Sequence, residues 1–213
     1  MSYIENIYIC LAAPLLLAIL CLKGNWRRAL SFLLSGMTCC LCSAYISSFF
    51  AGISGISSGV ALHAISPAVE EIVKFLPVLF YILLFEPKKD DSISGIILVA
   101  VGFATFENVC FLTSYGTSEL IRLIIRGFGT GAMHVFCGVL LSVGIFYLWD
   151  RTDLRILGVF AVLCSAITFH AIFNIMVSSP GISTWIGSAV PLTLILCILI
   201  FFSQSIDMFP AEK

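Results

Sequence analysis

In the stretch Pro67-Ala-Val-Glu-Glu-Ile-Val-Lys74, two adjacent carboxylates and a lysine one turn later sit inside an apolar run from Val60 to Phe85. Ionisable groups at membrane depth are costly and need partners, so they mark functional sites. Few other polar residues fall comparably deep in apolar runs: Glu107, His134, His170 and Asn174. Together these residues offer carboxylate, imidazole and amide, the groups that hydrolysis of a peptide bond needs. A carboxylate assisted by histidine takes a proton from water, and a second histidine with an asparagine donates hydrogen bonds to the oxyanion that forms. The chain has no G-x-S-x-G, no H-E-x-x-H and no aspartate pair inside an apolar run. Serine, zincin and aspartyl mechanisms are therefore disfavoured.

These residues need a membrane scaffold. Of 213 residues, 60% are hydrophobic and 11% charged, against about 25% charged in a soluble domain. Spanning the hydrocarbon core takes about 20 apolar residues, and about seven segments qualify: 4–22, 29–51, 61–85, 93–115, 127–149, 156–177 and 187–206. The expected fold is an all-α, polytopic transmembrane helix bundle, one integral-membrane domain over residues 1–213 in contact with the lipid bilayer. Met1 to Glu5 carries no Lys or Arg, so the first segment reads as a retained helix rather than a signal peptide. A net charge of -1 and the absence of a basic run argue against a nucleic-acid partner. Nine cysteines, an odd number, all lie in apolar segments, which argues against a disulfide framework. Cys39 and Cys42 have C-x-x-C spacing but no second pair, and read as small hydrophobes between helices.

Lys and Arg mark the cytoplasmic side. Lys23, Arg27, Arg28, Lys88, Lys89, Arg151 and Arg155 fall in the first, third and fifth joints, with Lys213 at the C-terminus; the other side holds Arg122 and Arg126. The N-terminus is expected outside and the C-terminus in the cytoplasm. At 1.5 Å per residue, Glu70 then lies about 14 Å from the outer face, Glu107 about 12 Å, and His134 and His170 about 10 Å. Scattered structural polar residues would not share one depth across four helices.

Local spacing refines each position. Lys74 is four residues after Glu70 and three after Glu71, within reach of either. Ser66-Pro67 reads as a helix start, with Glu70 in the first turn; a helix continuous from Ala61 and kinked at Pro67 is the alternative. His63 shares the face of Glu70 but lies closest to the outer water. Gly127, Gly131, His134, Gly138 and Ser142 form one face, small except for His134, which predicts a close neighbour and an inward-facing imidazole. His170 and Asn174, four apart, lie one above the other. In Ser118 to Arg126 the residues Glu119, Arg122 and Arg126 recur at helical spacing, either as an interfacial helix or as an early start to the fifth span.

At these residues the chain resembles the PrsW family of intramembrane proteases, related to the type II CAAX prenyl proteases of the glutamic group. The matching pieces are Glu70-Glu71-x-x-Lys74, Gly102-Phe-Ala-Thr-Phe-Glu107-Asn108, Arg126 with His134 eight residues later, and His170-x-x-x-Asn174. One departure is Phe111, where the family pattern has tyrosine. The resemblance implies a membrane endopeptidase; that it works without metal or cofactor is read from the residues, since Lys74, one turn from Glu70 and Glu71, already supplies a positive charge there and would repel a cation. In bacteria the resemblance implies a plasma-membrane enzyme making the first cut in a single-pass anti-sigma factor near the outer face. It implies Glu70 as the water-activating base with His134 assisting, and His170 with Asn174 as oxyanion donors. Glu71 and Lys74 would be orienting neighbours, Arg126 a supporting residue, and Glu107 a site residue holding His134 or a water.

Two other readings use the same residues. Glu70, Glu107, His134 and His170 suit a zinc or iron ion that activates water, and intramembrane Glu and His can relay protons in a transporter. The uneven ligand spacing weighs against the first. The lack of internal repeat symmetry weighs against the second.

Overall fold

A computed structural model describes residues 4–116 and 120–202. Seven helices fill them: α1 (Ile4–Cys21), α2 (Gly24–Ser54), α3 (Ser58–Phe85), α4 (Lys89–Tyr115), α5 (Leu120–Leu148), α6 (Arg155–Ser178) and α7 (Ile182–Phe202). All except α3 are long and apolar enough to cross a membrane. α3 has the length, 28 residues, but Glu70, Glu71 and Lys74 fall near its middle. The chain is an all-helical, polytopic integral membrane protein. Its outer faces carry exposed Leu17, Leu20, Phe80, Leu83, Ile156, Leu157 and Ile200, an apolar surface that lipid, not water, would cover.

Backbone chemistry sets the breaks between helices. α2 ends at Gly55 and α4 at Gly116, both with positive φ, the conformation that glycine adopts without a Cβ penalty. α3 stops at Glu86, which is left-handed and returns its N–H to Ile82 O; Pro87 follows and cannot continue the helix. Pro67 does not start a helix. α3 runs unbroken from Ser58 through Pro67 and Pro77, so the helix-start expectation is corrected and Glu70 lies mid-helix rather than in a first turn. Membrane helices tolerate such prolines because neighbours re-satisfy the freed backbone groups, and Pro67 is fully buried. α5 begins at Leu120, which removes the separate interfacial helix. Ser118 and Glu119, with the side chain of Arg122, lie outside the described residues, as do 203–206 of the expected seventh segment and Lys213.

α4 packs on α2, α3 and α5; α5 packs on α4, α6 and α7; α3 meets α6; and α1 packs on α2. The tightest approach joins α2 to α4. A Cβ on Gly36 would collide with the Val99 carbonyl, and one on Gly102 with the Leu33 carbonyl. The small face expected on α5 is only partly used. Gly138 lies against Ala100, whereas a Cβ at Gly127 or Gly131 would meet nothing within 4 Å. Gly129 instead takes the close contact, against Ser188 of α7.

Apolar clusters flank the buried polar residues. Phe75, Val78, Ile96, Val99 and Leu141 form one, Met37, Phe103 and Phe106 a second, and Met133, Cys137, Ala166 and Phe173 a third. Arg28 pairs with Asp91 through both Nη atoms, at 2.9 and 2.7 Å, and Lys89 pairs with Asp150 at 2.5 Å. These contacts bring the first, third and fifth joints to one end of the bundle. Cys39 donates to Val73 O at 3.3 Å while Cys42 is exposed, and all nine cysteines are free thiols.

Candidate functional site

Helical spacing on α3 makes the first link. Lys74 donates from Nζ to Glu71 Oε1 at 2.6 Å, the i,i+3 choice, rather than to Glu70. Both partners are almost wholly buried, at 5% and 1% exposure. The same Nζ reaches across to His134 Nδ1 on α5 at 2.8 Å and lies 4.7 Å from the centroid of the Phe103 ring on α4. An ammonium only donates, so Nδ1 of His134 accepts and its proton sits on Nε2. That Nε2–H donates to Glu107 Oε2 at 2.5 Å. Glu107 Oε1 in turn accepts from Arg126 Nη2 at 2.8 Å, and the guanidinium stacks 4.4 Å from the centroid of the Phe111 ring.

A second arm starts from the same lysine. Glu71 Oε1, held by Lys74, also accepts from His170 Nδ1 on α6 at 2.7 Å. In the neutral ring this leaves His170 Nε2 as a lone pair, and Nε2 lies 3.7 Å from Glu70 Oε2. Glu70 Oε2 is buried and has no hydrogen-bond partner among the described residues. The two imidazoles meet edge to face with centroids 5.1 Å apart. Lys74 is thus the hub of two chains, Glu71–His170 and His134–Glu107–Arg126.

A cavity of about 840 Å³ opens beside this network. Its polar wall includes Glu70, Glu107, Arg126, Thr130, His170 and Asn174; Phe111, Ile125, Phe173, Val177 and Trp185 supply apolar lining. Glu71, Lys74 and His134 do not line it and stand behind the wall. Glu70, Glu71, Lys74, Glu107, Arg126, His134, His170 and Asn174 all lie in the network or on the cavity wall, whereas His63 does not line the cavity and its Nδ1 is buried without a hydrogen-bond partner among the described residues.

Three features were not read from sequence. Phe103 underlies both Lys74 and His134, with centroids 5.0 Å apart in the second case. Phe111 is a platform for Arg126, a use of the ring that needs no hydroxyl. α7 contributes Thr184, Trp185 and Ser188 to the cavity, and its sequence carries no charged residue to draw attention to it.

Membrane-crossing helices that enclose a hydrogen-bonded cluster of carboxylates, imidazoles, an ammonium and a guanidinium beside an open cavity define a polytopic membrane protein with a buried polar site. The family described as PrsW family intramembrane metalloprotease matches residues 24–203. The chain belongs to that family and is a membrane protease. Among curated proteins and among solved structures, none matches the chain.

Proposed function

We propose that this protein is an intramembrane endopeptidase that cuts a single-pass, membrane-anchored protein near the outer face, with Glu70 as base and no metal in the mechanism. The observation that carries this reading is the Glu70–His170 pair on the cavity wall, one unpartnered carboxylate oxygen facing one imidazole nitrogen at 3.7 Å. A water held between them gives a proton to Glu70 as its oxygen bonds to the peptide carbonyl carbon. The carbonyl electron pair moves onto oxygen, where Asn174 donates a hydrogen bond. When that oxyanion collapses the C–N bond breaks, and the leaving amine takes the proton from Glu70.

Supporting residues divide differently from what the family resemblance implies. His134 is wholly buried and has both ring nitrogens engaged, so it acts through Glu107 rather than on the water. His170, with Nδ1 committed to Glu71, suits the water better than the oxyanion.

The family description names a metal, and Glu70, His134 and His170 each offer a ligand atom within 4.8 Å of the others. The donor set does not fit one. Catalytic zinc sites take three protein ligands, and of these three residues Glu70 and His170 alone keep a ligand atom without a hydrogen bond among the described residues. His134 already accepts from Lys74 and donates to Glu107, and a cation at this point would meet the ammonium.

The distribution of Lys and Arg favours an external N-terminus and cytoplasmic C-terminus; with that orientation the cavity would lie in the outer half of the membrane, and the family resemblance makes a bacterial anti-sigma factor the proposed substrate. Co-expression of candidate single-pass proteins with the wild type and with Glu70→Ala tests the reading. A fragment made by the wild type alone is expected; the same fragment with both would count against it.

A further inference from the structure

We infer that Arg126 is a catalytic residue, a guanidinium donor to the substrate carbonyl oxygen as it becomes an oxyanion, and not only the counter-charge of Glu107. The inference rests on the hydrolytic reading above. With the Nδ1–H of His170 committed to Glu71, the nitrogen it turns toward Glu70 is an acceptor. A growing negative charge needs donors, so that histidine in its neutral form cannot supply one, and Asn174 needs a companion.

Arg126 is the one cation on the cavity wall among the described residues, which it shares with Glu70, His170 and Asn174. Its orientation is fixed from two sides, by Nη2 to Glu107 at 2.8 Å and by the Phe111 ring at 4.4 Å. Glu107 is itself held by His134, and His134 by Lys74. Such a rigid arrangement is what a preorganised oxyanion donor requires, since nothing has to reorient as charge develops. The fork also has capacity left over. A guanidinium carries five N–H donors, yet one salt bridge is its hydrogen bonding among the described residues, and Nε is buried with no partner. Buried donors are nearly always satisfied, so an unused one beside a cavity points to a ligand that arrives later.

The test uses a single-pass reporter, labelled at both ends, that the wild type cleaves in proteoliposomes. Arg126→Lys keeps a positive charge opposite Glu107 but loses the planar fork, and Arg126→Ala loses both. Each should lower kcat about 10²-fold or more with KM little changed. Added guanidinium ion should restore part of the Arg126→Ala activity, and methylammonium at equal concentration should not. Binding of a leucyl-leucyl peptide aldehyde, whose hydrate mimics the tetrahedral intermediate, should weaken in proportion to kcat/KM. If Arg126→Ala fails to fold, Arg126→Lys and the aldehyde still decide. Wild-type turnover by Arg126→Lys, or a rise in KM alone, would overturn the inference and leave Arg126 as a counter-charge. Cleavage by Glu70→Gln at the wild-type rate would instead count against Glu70 as the base in the reading above.

Discussion

Lys74→Met removes the hub of the site at nearly constant volume. Lys74 is 5% exposed and bonded to Glu71 at 2.6 Å and His134 at 2.8 Å. Without the ammonium, Glu71 is a buried carboxylate with His170 as its one side-chain donor among the described residues, and His134 Nδ1 has lost its partner. Removing one member of a buried ion pair costs about 3–5 kcal/mol. For a chain of this size each kcal/mol shifts Tm by about 2–4 °C, so Lys74→Met should melt about 6–20 °C lower. Nine free thiols, with Cys39 and Cys137 among the buried ones, make a thiol-reactive fluorophore in detergent a direct readout of unfolding. Adding Glu71→Gln to Lys74→Met removes the unpaired charge and should recover much of the loss. A Lys74→Met protein that melts within about 2 °C of wild type would mean that the pair carries too little energy to organise the site. A double variant less stable than the single one would refute the charge argument.

Further expectations can be checked separately. Gly36→Val and Gly102→Ala drive side-chain atoms into backbone carbonyls across the α2–α4 contact and should cost about 1–3 kcal/mol or more. By contrast Gly131→Ala meets nothing within 4 Å and should be neutral or gain about 0.5–1 kcal/mol; thermal unfolding distinguishes them. Reporters fused after Gly55 and Gly181 should be external and those after Asp90 and Thr152 cytoplasmic, and swapped signals would move the cut to the inner face. Detergent-purified protein should keep its activity after exhaustive chelation, with no stoichiometric zinc or iron by elemental analysis. Loss to a chelator, reversed by one added metal, would make Glu70 and His170 ligands.

The helices were legible because their apolar runs are long and their breaks carry Gly, Pro or clustered charge, as at Gly55, Glu86-Pro87 and Gly116. Pro67 misled in one respect, since local rules favour a helix start after Ser66 while burial and neighbouring helices carry α3 straight through. The cluster was legible because charge inside an apolar run is rare and demands partners. Spacing alone left Lys74 between Glu70 and Glu71; only the placement of α5 and α6 gave the lysine to Glu71 and freed an oxygen of Glu70. The division of labour between the histidines was likewise hidden. His134 and His170 look alike in sequence, and it is the hydrogen bond at each Nδ1, to Lys74 in one and Glu71 in the other, that separates them. The α7 wall left no trace, because apolar residues, Thr and Ser in a membrane helix read the same whether they face lipid or a cavity.

The central claim is that Glu70 takes the proton from the attacking water. Glu70→Gln keeps the shape of the side chain and removes the base, so purified, folded Glu70→Gln should turn over a single-pass reporter about 10²-fold or more slowly than wild type, with its Tm preserved or raised because the charge on a side chain whose Oε2 is buried without a partner is gone. Turnover equal to wild type by that folded variant would contradict the account and move the search for the base to Glu107.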